Sequence, residues 1–256
     1  VQAKLSLHLD RHEGSKRLTI VGLWGDFIFK PQTQSYKTLP ENEDLTMHLA
    51  EIAKIKVVPH TLIRLQDGTL GYLTKRIDRT SEGGKIPMED MCQLTERQTE
   101  YKYKSSYEQI AKVIAKHSYV PLLDLTDFYE QVFFNWLVGN NDMHLKNYSL
   151  YAPTGKWVLT PAYDLLNVSM VNPKDTEELA LTLNAKKKRI KKGDFVRAME
   201  TSGISPKVFD NILAKYRKLL PKFNEIIDLS FLDKEDKEIY KQSIASRFAR
   251  IEESND

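Results

Sequence analysis

The sequence predicts an α+β fold with a small β-rich amino-terminal lobe and a helical carboxyl-terminal lobe. Short segments of alternating apolar and polar residues, separated by turn dipeptides, occupy most of the first eighty positions, and such alternation is typical of strands with one buried face. Farther along, apolar residues recur at intervals of three and four, which is the spacing of amphipathic helices. We therefore expect lobes of residues 1–79 and 80–256.

Three strands open the amino-terminal lobe. Lys4–Leu9 alternates leucines with polar residues, and Arg17–Leu23 is expected to return beside it as the second strand of a hairpin. Phe27–Lys30 is a short third strand that ends at Pro31, because proline lacks the N–H group that a continuing sheet needs. Lys30 therefore stands at the end of an otherwise apolar strand.

A single helix interrupts the strands of this lobe. Glu41–Lys54 carries leucines and isoleucine at helical spacing, and Pro40 with acidic residues marks its first turn. Two further strands follow, Thr61–Leu65 and Thr69–Ile77, joined at Asp67-Gly68, a dipeptide typical of hairpins. The predicted order is three strands, one helix and two strands.

From about Met88 onward the pattern is predominantly helical. Leu123–Val138 is apolar almost all round and ends at Gly139, so we expect it to be a buried central helix. The other predicted segments are helices at Ser106–His117, Asp194–Glu200, Pro206–Phe223 and Lys234–Glu253, and a small hairpin of Tyr148–Tyr151 and Trp157–Leu159.

Composition excludes several classes of protein. With 41% hydrophobic residues among 256, the chain does not have the composition of a disordered protein, and no apolar run reaches the ~18–20 residues of a membrane span. A net charge of +3 gives no support for nucleic-acid binding. Cys92, the single cysteine, has no partner for an internal disulfide, which predicts a reducing compartment such as the cytoplasm. Because the first residue is Val1 rather than Met, we expect the sequence to be a piece of a longer protein.

The most informative segment is the polar loop Asn140–Asn147, between the central helix and the hairpin. Asp142 and Asn147 are five residues apart, which is the spacing of the base Asp and the metal-binding Asn in the catalytic loop of protein kinases. In that chemistry the Asp accepts or orients the proton of the attacking hydroxyl group, and the amide oxygen holds a Mg²⁺ that bridges phosphates. Lys146, between them, is placed to steady the transferred phosphoryl group.

Asp164 lies seventeen residues beyond Asn147, after the predicted hairpin. A kinase keeps its principal metal ligand at this place, as the Asp of an Asp-Phe-Gly sequence. Here Leu165 and Leu166 follow the Asp instead. We nevertheless predict that Asp164 binds the metal.

Lys30 and Glu43 complete the pattern. In kinases a strand lysine grips the nucleotide phosphates and is held by a glutamate on the next helix, and Glu43 lies on the helix that follows Lys30. Simpler interpretations exist for each residue: a solvated edge lysine for Lys30, a favourable charge at a helix start for Glu43, turn chemistry for Asp142 and Asn147, and a carboxylate satisfied by backbone donors for Asp164. Their joint order along the chain favours a phosphoryl-transfer site.

Three other residues or segments are less specific. His144 has no second His or Cys at ligand spacing, so we expect a structural imidazole that hydrogen-bonds the loop, not a zinc ligand. The basic run Lys186–Lys192 is interpreted as a solvated loop, with a docking patch for an acidic partner or nucleic acid as the alternative. Cys92 is expected to be a packed thiol.

Several motifs together resemble the HipA-like toxin kinases, which are bacterial Ser/Thr protein kinases of toxin–antitoxin modules. The resemblance extends through nearly the whole chain, and its most specific element is Asp142-x-His144-x-Lys146-Asn147. The other matching segments are Val1–Leu7, Phe29-Lys30-Pro31, Lys75–Arg79 and Tyr163-Asp164. The fold that it implies is bilobal and protein-kinase-like.

The resemblance implies ATP and Mg²⁺ as cofactors and a role for each matching residue. Asp142 is the implied catalytic base, with Lys146 beside it, and Asn147 and Asp164 are the implied Mg²⁺ ligands. The implied nucleotide-binding residues are Gln2 and Lys4 beside the phosphate-binding loop, Lys30 with its partner Glu43, the adenine hinge Lys75, Arg76 and Ile77, and the motif residues His144, Asn147, Tyr163 and Asp164.

The sequence departs from the family pattern at its amino terminus. The phosphate-binding loop, with the serine whose phosphorylation switches family members off, would precede Val1, and no G-x-G-x-x-G occurs in the chain. The amino-terminal subdomain of the family is also absent from the sequence. Three alternatives stay open for this subdomain: it was removed from this piece of the protein, it is disordered, or a separate small protein supplies it, as in split versions of the module. In the last case that protein is a further partner.

The resemblance also implies partners. Family members phosphorylate aminoacyl-tRNA synthetases and are restrained by a helix-turn-helix antitoxin that binds DNA. We therefore expect a protein substrate, an antitoxin, DNA contact only through that antitoxin, and no membrane association. Two alternatives stay open: a small-molecule phosphotransferase of similar architecture, and an inactive module that binds a nucleotide or the antitoxin.

Overall fold

A five-stranded antiparallel sheet forms the amino-terminal part of the protein. The structure is a computed structural model that describes residues 3–12, 15–22, 24–80 and 82–254. The strands are β1 Leu5–His12, β2 Ser15–Ile20, β3 Phe27–Pro31, β4 His60–Arg64 and β5 Leu70–Lys75. They lie in the order β2-β1-β3-β5-β4, so the strand that carries Lys30 is central in the sheet.

Strand β3 is fixed between its neighbours by a small apolar cluster. Phe29 pairs with Leu73 of β5, and its ring packs with Leu7 and Leu73 on one face of the sheet. Gly71 is needed beside it, because a Cβ atom at that position would overlap the Phe29 ring. Since side chains alternate along a strand, Lys30 points to the opposite face.

Helix α1, Leu39–Ile52, packs against β4 and β5. As the sequence predicts, Pro40 lies in its first turn, where the missing N–H group has no consequence for the helix. Leu45, Met47 and Leu49 are buried in the main hydrophobic core. The helix therefore joins the sheet to the rest of the protein.

The carboxyl-terminal part consists mainly of helices around one buried helix. The helices are α2 Met91–Leu94, α3 Tyr107–His117, α4 Pro121–Val138, α5 Val168–Val171, α6 Lys192–Thr201, α7 Pro206–Leu229 and α8 Lys234–Glu253. Most side chains of α4 are buried, and the helix ends at Gly139 with a φ of 80°, as expected for a glycine that ends a helix. No helix of the described residues is long and apolar enough to cross a membrane.

A second, three-stranded antiparallel sheet includes a strand that the sequence analysis missed. The strands are β6 Met88–Asp90, β7 Ser149–Tyr151 and β8 Val158–Leu159, in that order. The expectation of helix from Met88 onward is wrong for these first three residues, because so short a strand shows no readable period. Asp90 then caps α2, accepting a hydrogen bond from the N–H of Gln93.

The basic run Lys186–Lys192 forms ion pairs within the chain. Lys186 lies 2.7 Å from Asp194, and Lys187 lies 3.2 Å from Glu177. These contacts favour the interpretation of a solvated loop that is tied to its surroundings.

Candidate active site

A cleft of about 1170 Å³ is lined by both parts of the protein. Its lining includes all described residues that the sequence analysis assigned to catalysis, nucleotide binding or metal binding: Lys4, Lys30, Glu43, Lys75, Arg76, Ile77, Asp142, His144, Lys146, Asn147, Tyr163 and Asp164. Gln2, the remaining one, lies outside the described residues. The fold thus gathers side chains that are as many as 160 positions apart in the sequence.

Lys30 connects the two parts of the protein across this cleft. Its Nζ lies 2.6 Å from Oε1 of Glu43 and also forms an ion pair with Asp164. Both Lys30 and Glu43 are buried. Burial alone would lower the pKa of Lys30, but the two carboxylates outweigh it and raise that pKa above its usual value. Lys30 is therefore a buried charged residue and not a solvated residue at a sheet edge.

Asp164 is held by two lysines. Besides the contact with Lys30, its Oδ2 lies 3.2 Å from Nζ of Lys4. Burial opposes ionisation of Asp164, yet the two ammonium groups lower its pKa well below the usual value. The residue has a φ of 57°, a left-handed conformation that is strained for most residues and that clusters at functional sites.

The polar loop after α4 folds around the backbone carbonyl of Asp142. This oxygen accepts hydrogen bonds from Nδ2 of Asn147 at 3.1 Å and from the backbone N–H of His144 at 2.9 Å. Since the amide nitrogen of Asn147 is used in this way, its oxygen is the atom that remains to bind a cation. The carboxylate of Asp142 lines the cleft, where Oδ1 accepts a 2.6 Å hydrogen bond from the hydroxyl of Tyr103.

The expectation that the His144 ring hydrogen-bonds the loop is wrong. Its Nδ1 is buried without a hydrogen-bond partner among the described residues, and the ring packs edge-on against Tyr103 with centroids 5.0 Å apart. Burial lowers the pKa of His144, so the ring is neutral near pH 7. The backbone N–H of His144, rather than its ring, makes the loop contact.

Lys146 and Tyr163 are tied to the second sheet. The ammonium group of Lys146 lies 2.6 Å from Oδ2 of Asp90. The hydroxyl of Tyr163 donates to the Lys146 carbonyl at 3.2 Å and shares a 2.6 Å hydrogen bond with Oγ of Ser149. Tyr163 therefore supports the polar loop from the side of β7.

The segment Lys75–Ile77 leaves the sheet at the edge of the cleft. The backbone N–H of Lys75 donates to the Pro59 carbonyl at 2.9 Å, and that of Arg76 donates to the Asp26 carbonyl at 2.8 Å. Within the described residues, the N–H of Ile77 makes no backbone hydrogen bond. Of the three N–H groups, that of Ile77 remains for a ligand.

Three supporting residues escaped the sequence analysis: Asn42, Asp90 and Tyr103. Asn42, on α1, accepts a 2.7 Å hydrogen bond from the N–H of Asn167 and donates a 3.1 Å hydrogen bond to its carbonyl. These two bonds join α1 to the segment that follows Asp164. Only Asp90 has a local signal, the capping box at the start of α2, since the contacts of the other two join distant parts of the chain.

The side chains of the cleft suit a magnesium nucleotide. The carboxylate of Asp164 and the amide oxygen of Asn147 are ligand types that Mg²⁺ prefers, and both residues line the cleft. The ammonium groups of Lys4 and Lys30 lie beside Asp164, where they match the charge of phosphates.

Curated relatives match most of the chain. The protein named "Putative kinase Y4dM" from Sinorhizobium fredii is 29% identical over 242 residues, which cover 88% of this chain and 58% of that protein. The protein named "Putative kinase" from Haemophilus influenzae is 29% identical over 181 residues, which cover 66% of this chain and 51% of that protein. The chain therefore spans little more than half the length of these relatives.

Solved structures share the fold. HipA of Shewanella oneidensis, in a toxin–antitoxin complex with HipB and operator DNA, superposes with a TM-score of 0.82 at 23% identity, covering 98% of this chain and 63% of that one. The Helicobacter pylori proinflammatory kinase CtkA gives a TM-score of 0.62 at 14% identity, covering 96% of this chain and 93% of that one. These matches confirm the predicted α+β, bilobal, kinase-like fold. The sequence model of the family described as "HipA-like C-terminal domain" matches residues 1–222. Because the match covers most of the chain, the chain belongs to that family.

Proposed function

We propose that the protein is an ATP- and Mg²⁺-dependent kinase that phosphorylates Ser or Thr residues of a protein. The observation that carries the proposal is the meeting of Lys30, Glu43 and Asp164 in one cleft. Removing such charges from water is unfavourable, and strongly perturbed groups in a cleft are typical of functional sites. Membership of the HipA-like family and relatives named as kinases support the same activity.

In this proposal the nucleotide extends from the hinge to the polar loop. The N–H of Ile77 donates to the adenine ring, and Lys30 and Lys4 bind the phosphates. Asn147 and Asp164 would hold Mg²⁺ through their side-chain oxygen atoms, and the bound ion would supply charge neutralisation for the transferred phosphoryl group. For this to happen, Lys30 must exchange part of its contact with Asp164 for contacts with the phosphates.

Asp142 is the proposed catalytic base. Its carboxylate lines the cleft and accepts the proton of the Ser or Thr hydroxyl group. The new bond forms between that oxygen and the γ-phosphorus, while the bond from the γ-phosphorus to the bridging oxygen breaks and ADP leaves. Tyr103, which donates to Oδ1 of Asp142, is a positioning residue. Lys146, whose ammonium group forms an ion pair with Asp90, is placed to stabilise the transferred phosphoryl group.

The partners of the proposed kinase follow from its family. HipA of Shewanella oneidensis is in complex with HipB and operator DNA. By analogy, this protein acts as a toxin restrained by a helix-turn-helix antitoxin, which is its link to DNA. An aminoacyl-tRNA synthetase is the proposed substrate, which places the activity in the cytoplasm.

A phosphorylation assay with labelled ATP, Mg²⁺ and purified aminoacyl-tRNA synthetases tests the proposal. Wild type and Asp142→Asn are compared with Asp210→Asn, a matched control on α7 with a 57% exposed side chain. We expect Asp142→Asn to be at least about 10²-fold slower, the usual contribution of a general base, and Asp210→Asn to match wild type. Equal rates for wild type and Asp142→Asn would refute the role of Asp142.

A thermal-shift measurement separates a kinase from an inactive antitoxin-binding module. Mg²⁺–ATP should raise the Tm of the wild type, because a ligand that binds the folded state stabilises it. The shift should be smaller with EDTA present or in the Asp164→Asn variant. Absence of any shift favours the inactive module.

A further inference from the structure

A second polar cluster involves α1 but lies outside the cleft. Asp44, His48 and Glu51 follow one another at intervals of four and three residues, so they share one face of the helix. His60, the first residue of β4, lies against them. None of the four lines the cleft described above.

His60 is the unusual member of the cluster. Its side chain is 1% exposed, and neither of its two buried ring nitrogens makes a hydrogen bond within the described part of the chain. Buried polar atoms are nearly always paired, so an imidazole with both nitrogens unpaired calls for a ligand.

Three possible ligand atoms converge beside this ring. Oδ1 of Asp44 lies 3.5 Å from Nδ1 of His60, and Oδ2 of Asp44 lies 3.6 Å from Nε2 of His48. One donor atom from each of the three residues lies within 4.8 Å of the others. Ligand atoms around a tetrahedral zinc ion, with bonds of about 2.0–2.1 Å, are about 3.3 Å apart. The separations in the cluster, at most 4.8 Å, are wider than this, so small side-chain rotations would close the three residues around an ion.

Glu51 contacts the opposite nitrogens of the same two rings. Its Oε2 lies 2.8 Å from Nδ1 of His48, and its Oε1 lies 3.7 Å from Nε2 of His60. In metalloproteins a ligating histidine usually donates its other ring N–H to a carboxylate, which fixes the tautomer and the orientation of the ring. Glu51 is at hydrogen-bond distance to do this for His48, and its other oxygen lies near enough to His60 to do the same after a small rotation.

We infer that Asp44, His48 and His60 form a binding site for a divalent transition-metal ion of the zinc type, oriented by Glu51. Two imidazoles and a carboxylate suit zinc or cobalt, whereas Mg²⁺ takes oxygen ligands. The charges of Asp44 and Glu51 together balance that of a divalent ion. Such an ion ties α1 to β4 outside the lining of the cleft.

Metal binding by the tag-free chain tests this site. The protein is stripped with a chelator, loaded with Zn²⁺ or Co²⁺ in buffer with excess Mg²⁺, and dialysed. Bound metal is then counted per chain, and the Co²⁺ form is examined for the visible absorption of tetrahedral coordination. His48→Ala removes a ligand that is 48% exposed, and His117→Ala removes an exposed histidine from the last turn of α3 as the matched control.

We expect one ion per chain in the wild type and in His117→Ala, with at least tenfold weaker binding by His48→Ala. In the absence of metal, His48→Ala should have the same Tm as the wild type, and this result would show that the variant is correctly folded. If the Tm of metal-free His48→Ala is lower than that of the wild type, metal binding by the wild type is compared with that of Glu51→Gln instead. This variant alters a half-exposed carboxylate and is expected to stay folded. No binding by the wild type at micromolar Zn²⁺, or equal binding by the wild type and the folded variant, overturns the inference.

Discussion

Helix α1 takes part in two polar clusters that differ in how their buried groups are satisfied. In the cleft, Glu43 lies 2.6 Å from Lys30, and Asp164 completes the ion pairs. Outside the cleft, Asp44 lies beside His60, whose ring nitrogens lack hydrogen bonds within the described residues. Neighbours in the sequence thus serve different faces of the helix, because successive helical residues are about 100° apart. The comparison indicates that the first cluster is stable as it stands, whereas the second requires an added ligand.

The largest expected effect comes from breaking the first cluster with Lys30→Met. Glu43 and Asp164 then lose their counter-charge, and the unfolding free energy at pH 7 should fall by about 3–5 kcal/mol. Burial already raises the pKa of Glu43 against the opposing charge of Lys30. Without the lysine, protonation becomes easier, so the deficit should shrink as the pH is lowered. Urea unfolding at several pH values measures both effects.

The control for this variant is Lys56→Met, whose side chain is 73% exposed. It should change the unfolding free energy by no more than about 0.5 kcal/mol, as is usual for surface substitutions. A deficit for Lys30→Met as small as that of Lys56→Met would show that the buried ion pairs are not formed in solution.

A smaller effect, dependent on pH, is expected for Asp164→Asn. The folded-state pKa of Asp164 is lowered by Lys30 and Lys4 against the effect of burial, so the ionised group stabilises the protein above its unfolded pKa of about 3.9. This contribution is lost as the pH falls through that value toward the folded pKa. The Tm difference between wild type and Asp164→Asn should therefore narrow between about pH 5 and about pH 3. A constant difference would contradict the lowered pKa.

The second cluster is tested by Glu51→Gln. This substitution should weaken Zn²⁺ binding about tenfold, because it removes the carboxylate that orients the two imidazoles. Titration with Zn²⁺ measures the change. The affinity for Mg²⁺–ATP should stay at the wild-type value, because Glu51 does not line the cleft. Equal losses at both sites would mean that the two clusters are not separate.

The smallest effect is expected for Tyr103→Phe. Loss of the hydroxyl removes the hydrogen bond that holds Oδ1 of Asp142, and the rate of phosphoryl transfer should fall by roughly two- to tenfold, the equivalent of one ordinary hydrogen bond. The change should appear in kcat with the Tm unchanged, whereas a purely structural role would lower the Tm. A loss of activity above about 10²-fold would instead make Tyr103 a catalytic residue.

Local patterns were sufficient to predict most elements and part of the cleft, whereas Lys4, Tyr163 and the hinge residues 75–77 came only from the family resemblance. Asp142 and Asn147 lie in one loop, where spacing alone carries the signal, and Glu43 lies on the first helix after the strand that carries Lys30. Their meeting with Asp164, 134 residues from Lys30, depended on the analogy with kinases. Their catalytic and binding roles stay predictions.

Contacts between distant segments could not be predicted in this way. His60 begins a strand twelve residues after His48, and only the packing of β4 against α1 brings the rings to 4.7 Å. The edge-on contact of His144 with Tyr103 is equally non-local. Strand β6 was missed for a different reason, since three residues owe their conformation to pairing with β7.

The pair of hydrogen bonds between Asn42 and the backbone of Asn167 limits how such an enzyme can be turned off. Many kinases are inactivated by an outward swing of the helix that carries the glutamate. Here such a movement of α1 would have to carry the segment around Asn167 with it. Otherwise the buried amide groups of Asn42 and Asn167 would lose their hydrogen bonds. Regulation by displacement of α1 alone is therefore disfavoured.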